Sequence, residues 1–146
     1  MKINNHIKSP KKYDVEDLLS FLADKLNISE NVELTITYNE DLLNKLSTSV
    51  EYEAFLHNTI PHKYVLYVRD GLVSQYVLCH EMVHLCQYES GRLKMSPDFK
   101  TITWEGKQYD NSLSYNEREW EKEAFKNQSR LWKLFKKANK KCSIFQ

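Results

Sequence analysis

Proline and glycine are scarce, three of each among 146 residues, so the chain has little material for long linkers or tethers. No apolar run approaches the length needed to cross a bilayer, and the polar, basic segment from Met1 to Lys12 lacks the apolar stretch of a signal peptide. Excess charge is also missing. The formal net charge is +1, which gives the whole chain no electrostatic reason to seek nucleic acid or a membrane surface. The three cysteines cannot all be paired with one another, and no Cys-x-x-Cys occurs. Cys79 and Cys86 are two turns apart in one helical pattern, about 10 Å, which is too far for a disulfide. Their spacing is not that of a zinc pair either. Buried thiols in a reducing cytoplasm account for them, and a cytoplasmic location is the expectation.

What is present is an ordinary globular composition, 41% hydrophobic and 28% charged, of a size that makes one self-sustaining domain over residues 1–146. Asp14 can cap a helix whose Val15, Leu18, Leu19, Leu22 and Leu26 recur at helical spacing. Asn31 to Tyr38 alternates, with Val32, Leu34, Ile36 and Tyr38 on one side, as a half-buried strand does. Asp41 to Leu46 fits a short helical turn, and Ser49 to His57 has no clear period. Tyr64 to Val68 reads as a second strand closed by Asp70-Gly71. Leu72 to Tyr88 is apolar almost all round, the pattern of a helix at the centre of a fold, and Gly91 suits its stop. Thr101 to Tyr109 alternates about Glu105-Gly106-Lys107 as a small hairpin, and Asn116 to Asn139 carries a long helical stripe. The expected class is mixed α/β (α+β).

The central helix contains His80-Glu81-Met82-Val83-His84. Histidines four apart project from one helix face and can hold one ion from two adjacent corners of a tetrahedron. Glu81 is turned about a quarter of the circumference away, so it can reach a water at such an ion without ligating it. This H-E-x-x-H spacing should arise by chance in fewer than about one in a hundred chains of this length. The plainer alternative is a pair of core histidines hydrogen-bonded to neighbours, which would place three polar side chains on an apolar helix at a desolvation cost.

A tetrahedral site needs a third protein ligand. A third histidine six residues on is excluded, because that position is Ser90, and Gln87 stands where the extended motif needs glycine. The long helix offers Glu117, Glu119, Glu121 and Glu123. If Trp120, Ala124, Leu131, Trp132 and Phe135 mark its inward face, Glu121 and Glu117 fall within that face, and Glu119 and Glu123 point to solvent. Glu121, bracketed by Trp120, Ala124 and Phe125, is the expected ligand. Glu117 is the reserve, or a hydrogen-bond acceptor for a histidine N–H. The competing reading of each is a half-buried acid paired with a lysine or arginine.

His80-Glu81-Met82-Val83-His84 followed by Trp120-Glu121-Lys122-Glu123-Ala124-Phe125 resembles the small gluzincin-type metallopeptidases, in the style of minigluzincins and the SprT-like and ImmA-like proteins of bacteria and phages. The likeness spans roughly residues 60–130. It implies a zincin-like domain holding one Zn2+ per chain on His80, His84 and Glu121, with Glu81 as catalytic base and a protein or peptide as substrate. It also implies that the strand Tyr64 to Val68 runs along the cleft, where an extended substrate can add its backbone. Tyr109 and Tyr115 become candidate oxyanion donors, with aromatic packing as the alternative for each. SprT-like proteins acting on DNA-bound substrates carry zinc-ribbon or DNA-binding elements, and with no Cys-x-x-Cys that activity is not expected here.

The expectation is therefore zinc-dependent peptide-bond hydrolysis, with no membrane partner. One rival is a catalytically silent zinc-binding regulatory module of the same fold. Another is a nucleic-acid-binding module built on the basic tail, where Arg130, Lys133, Lys136, Lys137, Lys140 and Lys141 occur with no acid. A helix end complementing its own dipole explains those lysines more simply.

Overall fold

Asp14 accepts a 2.9 Å hydrogen bond from the Asp17 amide and so starts the first helix, α1 (Val15–Lys25), whose Val15, Leu18, Leu19 and Leu22 are fully buried. The computed structural model in which this is seen describes residues 1–46, 53–71 and 73–144. The chain opens with β1 (Lys2–Asn5), and α1 leads to β2 (Glu33–Tyr38), α2 (Glu40–Leu46), β3 (Ala54–Ile60) and β4 (Lys63–Val68). The central helix α3 (Gln75–Glu89) follows, then β5 (Leu93–Met95), β6 (Thr101–Trp104), β7 (Lys107–Asp110), a 3-10 turn (Tyr115–Glu117) and α4 (Glu119–Ile144). The class is mixed α/β. Leu72 and the first part of the Ser49 to His57 stretch lie outside the described residues. No helix among the described residues is long and apolar enough to cross a membrane.

The first sheet has the order β1-β2-β4-β3, with β1, β2 and β4 parallel and β3 antiparallel to β4. This order corrects the sequence reading of the cleft strand. β4 is hydrogen-bonded on both sides, so Tyr64 to Val68 has no free edge to offer an added strand. The edge on that side is β3, part of which falls in the stretch without a clear period. β1 was not expected at all. Lys2-Ile3-Asn4-Asn5 is too polar to read as a strand, and it forms because its backbone pairs in parallel with Glu33 to Ile36 while Asn4 bonds Glu33 at 2.8 Å.

One face of this sheet buries Leu34, Ile36, Leu56, Tyr64, Leu66 and Val68 against the helices. α3 lies between the sheet and α4, touching α1, α4, β3 and β5. Ser74 caps it by accepting from the Tyr76 amide at 3.2 Å. At its other end Gly91 takes φ +77, a left-handed conformation that glycine adopts without strain. A second small sheet, β5-β6-β7, carries Leu93, Ile102 and Trp104 into a satellite cluster closed by Trp120 of α4. Thus α4 is clamped twice: Trp120 packs on the hairpin, and Trp132 and Phe135 pack edge-on against Tyr13 and Phe21.

Candidate metal centre

Helical spacing stacks the imidazoles of His80 and His84 on the face of α3 that meets α4, their ring centroids 4.8 Å apart. Both residues are at least nine-tenths buried, and so is Glu121, one turn into α4. The three side chains converge through particular atoms. His80 Nε2 and His84 Nε2 are 3.1 Å apart, His80 Nε2 is 3.1 Å from Glu121 Oε1, and His84 Nε2 contacts the same oxygen. His80, His84 and Glu121 form a buried group that could hold a metal ion, and among the described residues no other set of His, Cys, Asp and Glu does so.

The opposite nitrogens are held by amides. His80 Nδ1 donates to Gln128 Oε1 at 2.9 Å, and His84 Nδ1 donates to Gln87 Oε1 at 2.8 Å. With Nδ1 committed to the amides, Nε2 is the nitrogen each ring turns to the shared centre, donating to Glu121 while protonated and offering a lone pair for ligation once that proton leaves. Comparison with protein-family models, curated proteins and solved structures finds no match for this chain.

Electrostatics follow from that packing. Burial raises the pKa of Glu121, but hydrogen bonds from His80 and His84 outweigh it, so the carboxyl is held far below the usual range. Burial lowers His84, and the Glu121 hydrogen bond and charge reverse this, bringing it up to about 9. Glu81, half-buried beside the histidines, is pushed up by desolvation and by the Glu121 charge, against the downward pull of His84 and His80. Among the described residues no side chain hydrogen-bonds to its carboxylate.

The other residues singled out by sequence fall in different places. Glu117 is exposed, which corrects its assignment to the inward face. α4 starts at Glu119, and Arg118 is extended (φ -85, ψ 107), so counting 100° per residue back to position 117 crosses a break in the helix. Glu119 faces solvent, as expected. Glu123 is only partly exposed and is engaged by Gln87 and Arg92. Tyr109 packs against Trp120 at 5.7 Å in the satellite cluster. Tyr115 stands at the centre: partial burial, then the charge of Glu121 and a hydrogen bond to it, push its phenol above the usual range. Its ring meets Phe125 edge-on at 5.6 Å, and Phe125, half exposed, meets His80 at 5.0 Å.

Three neighbours of the centre were missed. Gln87 sits one turn after His84, a spacing at which helix side chains touch, and this could have flagged it. Gln128 lies two turns beyond Glu121 on the same face of α4. Tyr88 is pushed above its usual range by burial and then by the charges of Glu81 and Glu121, and nothing in its sequence setting marks it.

Proposed function

We propose that the protein is a zinc metallopeptidase, hydrolysing peptide bonds with His80, His84 and Glu121 as ligands and Glu81 as the proton carrier. The observation that carries this reading is the convergence of two Nε2 atoms and one carboxylate oxygen, all on buried residues, within about hydrogen-bond distance of each other. Two neutral imidazoles and a carboxylate are a donor set suited to zinc, leaving room for water or substrate in a fourth position. When bound, the ion supplies Lewis acidity, making water acidic enough to ionise near neutrality and polarising a carbonyl.

The protein's own groups do the rest. The Glu81 carboxylate, bound by no side chain among the described residues, accepts the proton of the attacking water and returns it to the departing amine nitrogen. Its raised pKa makes it a stronger base than an exposed glutamate, while the imidazoles beside it keep the charged form accessible. In this reading the Tyr115 hydroxyl, beside Glu121, donates to a carbonyl oxygen as negative charge develops there. An extended substrate fits along β3, whose outer edge has no strand partner among the described residues, rather than along β4.

The test is a pair of measurements on protein purified without added zinc. Metal analysis should return about one zinc per chain. Glu81→Gln should retain that zinc and lose cleavage of a casein or peptide-library substrate by at least about a hundredfold. A wild type without metal, or an active Glu81→Gln, would refute the proposal.

One observation favours a second reading. A groove at the far half of α4 is lined by Lys12, Lys133, Lys136, Lys137 and Lys140 with no acidic residue, which suits a polyanion. This reading requires binding of a duplex oligonucleotide that weakens steeply with salt and does not depend on zinc.

A further inference from the structure

A chain of hydrogen bonds runs from the buried centre to the surface. His84 Nδ1 donates to Gln87 Oε1 at 2.8 Å, and Gln87 Nε2 donates to the Trp120 carbonyl at 3.1 Å and to Glu123 Oε1 at 3.2 Å. Glu123 is gripped by both terminal nitrogens of Arg92, at 2.9 and 2.7 Å. Arg92 lies over the Trp104 ring at 4.6 Å and reaches Glu105 with its remaining donors. Gln87 is 1% exposed, so its amide has no water to turn to.

The chemistry of each link dictates the next. A carbonyl and a carboxylate can only accept, so the Gln87 NH2 must face Trp120 and Glu123, and Oε1 must face His84. An oxygen facing His84 can only accept, so Nδ1 carries the proton. Nε2 is then the nitrogen left to ligate, aimed at the centre it shares with His80 and Glu121. We infer that Glu123, clamped by Arg92, is a positioning residue that sets the tautomer and aim of His84 through the Gln87 amide. This rests on the metal-ligand reading above and adds an outlying part to it. It also changes the status of Glu123, which sequence reasoning treats as a solvent-facing bystander.

The experiment measures zinc affinity of the full chain by competition with a chromogenic chelator, and thermal unfolding of the metal-free protein as a control on folding. Glu123→Leu removes the outer acceptor and should weaken zinc binding about tenfold or more, as loss of an outlying partner typically does. Glu123→Gln keeps an acceptor for the Gln87 NH2 and should recover most of that loss. Glu105→Leu removes the acceptor on the other arm of the Arg92 cluster and should bind zinc as the wild type does. If Glu123→Leu does not fold, Arg92→Leu takes its place, with a smaller loss of the same sign. The cobalt-substituted protein adds a spectroscopic readout, because a re-aimed His84 alters the ligand-field bands and a purely structural effect does not. Zinc affinity for Glu123→Leu within twofold of wild type, or an equal loss in Glu105→Leu, overturns the inference. A wild type that binds no zinc instead overturns the metallopeptidase reading, and this one with it.

Discussion

The Nε2 atoms of His80 and His84 lie 3.1 Å apart although each is the natural hydrogen-bonding partner of something else. The shared acceptor Glu121 draws both Nε2 atoms in, and its hydrogen bond and charge bring His84 up to about 9. The arrangement is stable because the Nδ1 side of each ring is already fixed, one by Gln128 from α4 and one by Gln87 from α3 itself. The rings are thus preset for a positive guest, with Glu121 completing the ring of donors.

Gln128→Leu removes the acceptor for His80 Nδ1 and leaves a buried N–H without a partner. Zinc affinity should fall about tenfold or more, with far-UV circular dichroism unchanged. Chelator competition measures the first, and an unchanged affinity would show that His80 is oriented by packing alone, through Phe125.

Glu121→Ala and Glu117→Gln separate the two acids that the sequence alone placed on one face. The first should abolish stoichiometric metal content. The second, at an exposed residue of the 3-10 turn, should leave it at the wild-type level. Equal losses in elemental analysis would contradict the site geometry.

Leu85 is fully buried in the main core, whereas the Lys122–Glu119 pair is on the surface, its side chains more than half exposed. Leu85→Ala should cost about 2–5 kcal/mol in urea unfolding, through lost burial and the cavity left behind. Lys122→Ala should change stability by no more than about 0.5 kcal/mol. Asp14→Ala, which deletes the cap of α1, should fall between them at about 1 kcal/mol.

Burial pushes the Cys79 thiol up to about 12, overcoming a backbone hydrogen bond that favours the thiolate. At pH 8 only about one molecule in ten thousand carries the reactive form. Peptide mapping after alkylation at pH 8 should find Cys79 unlabelled in native protein and fully labelled in denaturant. Rapid native labelling would mean that α3 opens far more readily than its burial implies.

Local patterns carried much of this structure into view. Residues such as Leu18, Leu22, Leu34 and Ile36 announce their elements by period, because burial on one face is a property of neighbours in the chain. The histidine pair was legible for the same reason, since a four-residue spacing fixes two side chains on one helix. Glu121 was reachable because Trp120 and Ala124 fix the inward face around it, whereas Glu117 was misread because the helix does not extend that far. The rest depended on partners remote in sequence. In the order β1-β2-β4-β3, β1 and β4 each reach β2 across a whole helix, so nothing within Tyr64 to Val68 could reveal that both its edges are taken. The Gln128–His80 bond spans 48 positions. The Arg92–Glu123 clamp joins a loop to a helix across 31, and neither partner marks the other.

The double anchorage of α4 gives an ion at this centre mechanical reach. Glu121 lies between the Trp120 contact to the hairpin and the Trp132 contact to Tyr13 near the start of the chain. Tying that carboxylate to α3 would fasten the hairpin, the central helix and the N-terminal segment with a single reversible cross-link. Occupancy should therefore be felt well away from the ligands: chelation should loosen amide protection in α1 as well as in α3, so that the ion serves as a rivet for the whole molecule.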